Sequence, residues 1–132
     1  MKFKVLDLFC GAGGFSAGLD KLDNFETKVG LDFDKYAIET FSKNFTNAVG
    51  IYGDITKPEI KEKVVNESVK AGVNMIIGGP PCQGFSLKGK NMGLEDPRNF
   101  LFLETEPNKT SYSITQKVKF QYVLTFLVRT KL

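Results

Sequence analysis

Short apolar runs alternate with helical stretches through the first 77 residues, and this alternation constrains the fold more than any other feature. Four runs have the length of buried strands, and they span Phe3–Phe9, Thr27–Leu31, Val49–Tyr52 and Val73–Ile77. Between the second and third runs, Asp34–Phe45 carries its apolar residues at helical spacing. Strands that alternate with helices at these lengths form crossover units. The sequence therefore predicts an α/β fold with a mostly parallel sheet.

Two further helices are expected from local signals. Phe15–Leu22 follows the first strand and reads as a short helix. The third helix is predicted to begin with Thr56 as its N-cap, with Pro58 in its first turn and Glu59 completing a capping box, and to end near residue 70.

The four predicted strands each end in residues that can carry chemistry. The glycine-rich stretch at residues 10–14 follows the first strand, Asp32 and Asp54 follow the second and third, and Cys82 follows the fourth. Ligands of parallel α/β sheets bind beyond the carboxyl ends of the strands. We therefore expect these four features to lie on one edge of the sheet.

Composition narrows the class of protein. The chain has 132 residues, the size of one domain, and its two cysteines, Cys10 and Cys82, match no disulfide framework or zinc pattern. It has no histidine, so no metal site is predicted. No apolar run approaches the roughly 20 residues that span a bilayer, and the N-terminus has no signal-peptide pattern, so a cytoplasmic protein without a membrane partner is expected. Residues 107–132 hold five basic and no acidic residues, which is weak support for nucleic-acid contact.

The glycine-rich turn at residues 11–14 is typical of nucleotide sites, because glycines allow close approach of the backbone. Ser16 stands where the dinucleotide fingerprint requires glycine, which argues against NAD. About 20 residues downstream, Asp32 can accept hydrogen bonds from ribose hydroxyls. Phe33 can lie against an adenine ring, and Asp54 can bind its amino group. A ligand-free turn, a helix N-cap at Asp32, a core position for Phe33 and a plain turn at Asp54 remain the alternatives.

Cys82 directly follows Pro80-Pro81, within an irregular segment at residues 78–99. The two prolines fix their own φ angles and restrict the residue before them, and such a stiff backbone suits the placement of a nucleophile. A buried structural cysteine is the alternative.

Four motifs together resemble the DNA cytosine-5 methyltransferases. They are Asp7-Leu-Phe-Cys-Gly-Ala-Gly-Gly-Phe-Ser, Gly53-Asp-Ile, Gly79-Pro-Pro-Cys-Gln-Gly-Phe-Ser and Glu95-Asp-Pro-Arg-Asn-Phe-Leu-Phe, in order over residues 3–104. The resemblance implies a Rossmann-like fold dependent on S-adenosylmethionine, incomplete at its C-terminus, acting on double-stranded DNA, as in a restriction–modification system.

The resemblance also assigns residues. Cys82 is the expected catalytic nucleophile, whose thiolate adds to carbon 6 of a flipped cytosine so that carbon 5 can take the methyl group. The cofactor is expected to contact Phe9, Gly11, Ala12, Gly14, Asp32, Phe33, Asp54, Ile55, Pro81 and Leu101. DNA is expected to contact Gln83, Ser86, Lys88 and Arg98, although solvated loop charges are the alternative for the two basic residues.

The resemblance stops at about Glu104, and no acidic residue follows Glu106. Residues 1–104 are therefore expected to be the N-terminal part of a catalytic domain, and residues 105–132 a divergent basic tail from truncation or frame disruption. Three functions stay open: a methyltransferase that needs a second, complementing chain, a cofactor-binding module without turnover, and an inactive gene remnant.

Overall fold

The computed structural model describes residues 1–79 and 122–125. The strands are β1 (Phe3–Leu8), β2 (Phe25–Asp32), β3 (Val49–Tyr52), β4 (Met75–Gly78) and β5 (Tyr122–Thr125). The helices are α1 (Gly14–Leu19), α2 (Lys35–Asn44) and α3 (Pro58–Ala71).

The five strands form one parallel sheet in the order β3-β2-β1-β4-β5. The chain moves outward from β1 through β2 to β3, then crosses back to place β4 on the other side of β1. This reversal makes the carboxyl ends of β1 and its two neighbours a switch point, where ligands of such sheets bind. The predicted α/β fold with a mostly parallel sheet is confirmed.

The centre of the sheet is apolar on both faces, as expected for parallel strands covered by helices. Val5 to Leu8 of β1 are all buried, although Asp7 is a carboxylic acid. The larger core cluster packs strand residues against α3, and it consists of Leu6, Leu8, Val29, Leu31, Ile51, Ile55, Val64, Val73 and Ile76. Side chains alternate along a strand, so Val5, Met75 and Ile77 form a second cluster.

The helical stripe predicted for α2 is confirmed. Asp34 is its N-cap and accepts hydrogen bonds from the backbone N–H groups of Tyr36 and Ala37 at 2.9 and 3.2 Å. Ile38 and Phe41 are buried, and the Phe41 ring stacks on Phe45 with centroids 4.6 Å apart.

The predicted start of α3 is wrong by one residue. Lys57 is the N-cap and its side chain makes no capping bond, whereas the Thr56 hydroxyl donates to Asp54 Oδ1 at 2.8 Å. The carboxylate of Asp54 therefore takes the hydroxyl group that the capping-box prediction had assigned to the helix. Helix α3 ends at Ala71, and Gly72, with a φ of 68°, is its C-cap.

Other boundaries differ modestly from the predicted ones. Helix α1 ends at Leu19 rather than Leu22, because the chain turns there and the Leu22 N–H bonds to the Leu19 carbonyl at 2.9 Å. Strand β5 lies in the predicted tail and pairs with β4. The division at residue 104 stays a prediction.

Within the described residues, none of the helices has both the length and the apolarity to cross a membrane.

The close approach of α2 to the sheet gives a test of the packing. A Cβ atom on Gly30 would lie 2.5–2.8 Å from ring atoms of Phe41, which is fully buried and has little room to move. We expect Gly30→Ala to lower the free energy of unfolding by about 1–3 kcal/mol. Gly18→Ala is the control, because a Cβ there meets no atom within 4 Å in the part of the chain that the structure describes. Urea denaturation measures the stability of both variants, and equal midpoints would contradict this packing.

Candidate functional site

The glycine turn, residues 10–14, is tied directly to the end of β2. The backbone N–H of Cys10 donates to the Leu31 carbonyl at 3.0 Å, which extends the ladder between β1 and β2. One residue later the backbone N–H of Gly11 donates to the Asp32 side chain, Oδ2, at 2.8 Å. The Asp32 carboxylate is therefore a fixed part of the turn.

Asp32 also connects the turn to the third strand end. It pairs with Tyr52 across the β2–β3 ladder, and its carbonyl accepts from the Gly53 N–H at 3.0 Å. Asp54 is the next residue along the chain. The prediction that the turn, Asp32 and Asp54 share one edge of the sheet is confirmed. We call this edge the carboxyl rim.

The turn requires unusual backbone conformations. Phe9, Gly11 and Gly13 have positive φ angles of 62°, 58° and 90°. A Cβ on Gly13 would also collide with the Phe45 ring, so glycine is required there for space as well as conformation. Phe9 is the one residue other than glycine with positive φ in the described part of the chain. Such strain at a non-glycine residue is characteristic of functional sites.

The structure decides two of the open alternatives at the rim. The N-cap of α2 is Asp34, and Asp32 instead accepts from the Asp34 N–H through Oδ1 at 2.9 Å. Phe33 is not a core residue, because 65% of it is exposed. Ile55 is buried in the core, so its expected contact with adenine stays a prediction.

Asp54 does form a turn, which was the alternative to a ligand-binding role. Its Oδ1 accepts from both the backbone N–H and the hydroxyl of Thr56, at 2.9 and 2.8 Å. These bonds hold the pKa of the exposed carboxyl below its usual value and keep it ionised. A charged acceptor at the rim therefore remains available to a ligand.

Two exposed aromatic residues at the rim were missed by the sequence analysis. Tyr36 lies in the first turn of α2, and Tyr52 ends β3. Their apolar character favours burial, and no local pattern signals that they face solvent.

The Cys10 thiol lies under the turn and does not suit nucleophilic chemistry. It is buried and donates to the Gly11 carbonyl at 3.4 Å. Burial, and then the carboxylates of Asp7 and Asp32, raise its pKa far above the ordinary value. Cys10 therefore stays a neutral thiol.

A buried pair of polar residues beneath the turn was also missed. Asp7, the last residue but one of β1, is 4% exposed, and Ser16 of α1 is fully buried. The Ser16 hydroxyl donates to Asp7 Oδ2 at 2.6 Å, which joins the strand to the helix across the turn. Burial raises the pKa of Asp7 to about 6, the Ser16 bond lowers it and the nearby Asp32 raises it. A contact between residues nine positions apart has no signature in local sequence.

The remaining predicted site residues lie outside the described residues. They are Pro81, Cys82, Gln83, Ser86, Lys88, Arg98 and Leu101. The described chain does show where their segment begins, because Leu8 of β1 pairs with Gly78 of β4. The segment that carries Cys82 therefore leaves the sheet beside the glycine turn. Over residues 1–79 and 122–125, no group of three or more metal-ligating side chains is found.

The buried Asp7 carboxyl predicts how stability depends on pH. Its folded-state pKa of about 6 exceeds its ordinary 3.8, so between these values the folded protein binds more protons than the unfolded chain. This group therefore stabilises the fold most below pH 4, and its contribution falls by about 3 kcal/mol as pH rises through 6. Asp7→Asn should remove that fall.

Urea denaturation of both proteins at pH 4 and pH 7 provides the measurement. The difference in the free energy of unfolding between the two proteins reports on Asp7. Glu26 and Asp54 are present in both proteins, and because their pKa values are lowered, their contributions to stability change with pH in the opposite direction. A difference that does not change with pH would refute the buried, ionisable state of Asp7.

Comparisons with known proteins agree with this geometry. The family model for C-5 cytosine-specific DNA methylases matches residues 3–107. The type II methyltransferase M.AquIA of Picosynechococcus is 41% identical over 107 residues, which are 79% of this chain and 42% of that protein. M.DdeI of Desulfomicrobium norvegicum is 42% identical over 100 residues, covering 76% of this chain and 23% of the relative.

A solved structure supports the same assignment. A prophage-encoded protein of E. coli, described as a DNA modification methyltransferase, superposes with a TM-score of 0.62 and 29% identity over 90% of this chain and 30% of its own. The chain thus spans less than half the length of each of these three relatives. Its fold is the Rossmann-like fold of S-adenosylmethionine-dependent methyltransferases. On the match over residues 3–107, this chain belongs to the C-5 cytosine-specific DNA methylase family.

Proposed function

We propose that this chain is the cofactor-binding and nucleophile-bearing part of a DNA cytosine-5 methyltransferase from a restriction–modification system. One observation carries the proposal: the glycine turn, the Asp32 carboxylate and the start of the Cys82 segment meet at the carboxyl rim. The relatives support it, because they are named type II methyltransferases. Since the chain spans under half of their length, both the DNA substrate and the reaction belong to the proposal.

S-adenosylmethionine is the cofactor of this family, and the rim has room and partners for it. A Cβ on Gly11 or Gly14 would meet no heavy atom of the described residues within 4 Å, so these residues leave space over the turn. The Asp32 carboxylate, held by two backbone N–H groups, retains lone pairs for ribose hydroxyls. The exposed ring of Phe33 is available to an adenine.

When bound, S-adenosylmethionine supplies a methyl group on a positively charged sulfur. The chain's own part in the proposed pocket is to orient that group. Phe9, Ala12, Asp54, Ile55, Pro81 and Leu101 complete the proposed contacts, on the strength of the family resemblance. Asp54, kept ionised by Thr56, would accept from the adenine amino group.

Cys82 is the proposed nucleophile. It follows β4 along the chain, and β4 ends at Gly78, which pairs with Leu8 just before the glycine turn. The thiolate would form a bond to carbon 6 of the cytosine, which makes carbon 5 nucleophilic towards the methyl group. A base would then take the carbon 5 proton as the thiolate leaves. The target cytosine must first leave the DNA helix.

DNA contact is assigned to Gln83, Ser86, Lys88 and Arg98 by the same resemblance. The residues that select a DNA sequence would come from protein outside the matched region, either on the same polypeptide or on a complementing chain. The matched stretch is 42% of M.AquIA but 23% of M.DdeI, so family members of very different length share this part.

A cofactor-binding module without turnover is the second candidate function. The described rim residues support it, since all of them belong to the proposed cofactor side of the reaction.

The nucleophile is tested with DNA that traps the covalent complex. A pool of duplexes containing 5-fluorocytosine is incubated with the full chain and S-adenosylmethionine, with and without a candidate complementing chain. Fluorine at carbon 5 blocks the elimination step, so we expect an adduct at Cys82 by mass spectrometry. Cys10→Ser should still form it and Cys82→Ser should not. An adduct in Cys82→Ser would contradict the assignment, and no adduct under either condition would favour the cofactor-binding module.

The pocket is tested by calorimetric titration with S-adenosylmethionine. Asp32→Ala removes the acceptor for ribose and the partner of the Gly11 N–H, so its affinity should fall at least about tenfold. Asp23→Ala is the matched control, because Asp23 is an exposed acid that precedes β2 at the opposite edge of the sheet. Equal affinities of the two variants would contradict the proposed pocket.

A further inference from the structure

The glycine turn has no side chain of its own to hold its shape at Gly13. This residue is the N-cap of α1, with φ 90° and ψ 25°, and as a glycine it cannot make a side-chain capping bond. Its N–H donates to the Cys10 carbonyl at 2.9 Å, and its carbonyl accepts from the Ala17 N–H at 2.8 Å. Both bonds are local, and glycine has more backbone freedom than any other residue. The shape of the turn therefore depends on what packs against it.

The ring of Phe45 packs against this glycine. Its Cε2 and Cζ atoms occupy the space where a Cβ of Gly13 would stand, and Phe41 Cδ2 lies 3.0 Å from the same position. Gly13 is buried, whereas Ala12 and Gly14 on either side of it are exposed. The turn thus faces the rim with the two flanking residues, which belong to the proposed cofactor contacts, and faces an aromatic ring with the residue between them.

Phe45 is in turn supported by the sheet. Its ring stacks on that of Phe41, with centroids 4.6 Å apart and planes inclined by 24°. Phe41 is fully buried and lies directly over Gly30 of β2. Two stacked rings therefore connect a central strand to Gly13, and core rings in such packing have little freedom to move.

Helix α2 reaches the candidate site at both of its ends. At the start, the Asp34 N–H donates to Asp32 Oδ1, and the same carboxylate accepts from the Gly11 N–H. At the end, the C-cap residue Phe45 packs on Gly13. The helix therefore braces the turn against the carboxylate that is proposed to bind ribose.

We propose that Phe45 is a positioning residue for the cofactor: packed between Phe41 and Gly13, it holds the glycine turn in the conformation that receives S-adenosylmethionine. This inference rests on the proposed function and deepens it, since it adds a residue that acts without touching the cofactor. Once the ring is removed, the turn has to be ordered when the cofactor binds, and ordering backbone residues lowers affinity.

Calorimetric titration of the full chain with S-adenosylmethionine tests the proposal. Phe45→Leu keeps an apolar side chain but removes the ring, so we expect affinity to fall at least about fivefold. Val64→Ala is the matched control, because this fully buried residue of α3 packs on the opposite face of the sheet. It should lower stability while changing affinity less than about twofold.

The possible outcomes separate the two proposals. Unchanged affinity in Phe45→Leu, or an equal fall in Val64→Ala, would overturn the inference and leave the proposed function intact. If the wild-type chain did not bind the cofactor, the proposed function would fail as well. Urea denaturation of each variant verifies that the folded state is retained under the conditions of the titration.

A double-mutant cycle tests whether Phe45 acts through Gly13. A methyl group on Gly13 collides with the ring, so Gly13→Ala should lower affinity by about tenfold in the wild-type background. In the Phe45→Ala background the ring is absent, and the same substitution should cost less than about threefold. A purely structural role for each residue predicts losses that add, and additive losses would overturn the proposal.

Hydrogen exchange on the wild-type chain needs no variant to fold. Cofactor bound at the turn should slow exchange of the Ala17 N–H, which bonds to the Gly13 carbonyl, and of the Phe45 N–H, which bonds to the Phe41 carbonyl. Exchange at Gly72, the C-cap of α3 on the other face, should slow less. Slowing at Ala17 without slowing at Phe45 would contradict the proposed coupling.

Discussion

The hydrogen bond from the Gly11 N–H to the Asp32 carboxylate is the contact on which the candidate site depends. It fixes a flexible glycine turn to the end of a neighbouring strand. The same aspartate holds the start of α2 through the Asp34 N–H and the start of the next turn through its carbonyl. One residue thereby sets the relative positions of three chain segments.

Beneath that turn the protein carries a charge that costs stability. Burial raises the pKa of Asp7 to about 6, and within the described residues the Ser16 hydroxyl is the group that lowers it. An apolar residue at this centre of the sheet would favour folding more.

Much of the fold could be predicted because its determinants are local. Apolar runs marked the strands, and the spacing of Ile38 and Phe41 marked the buried face of α2. Chain order then placed the strand ends on one edge, which located Asp32 and Asp54. The errors arose where a local signal met a competing partner: Thr56 has the chemistry of an N-cap, but Asp54 takes its hydroxyl. The Asp7–Ser16 bond could not be predicted, because the folded turn brings the two residues together.

The central claim is that the carboxyl rim around the glycine turn receives S-adenosylmethionine. Amide chemical shifts in a titration of ¹⁵N-labelled full chain test this claim most directly. The account predicts that the amides of Gly11, Ala12, Gly14 and Phe33 shift on addition of the cofactor, while that of Glu26, at the opposite edge of the sheet, does not. Shifts confined to the opposite edge, or no shifts at saturating cofactor, would contradict it.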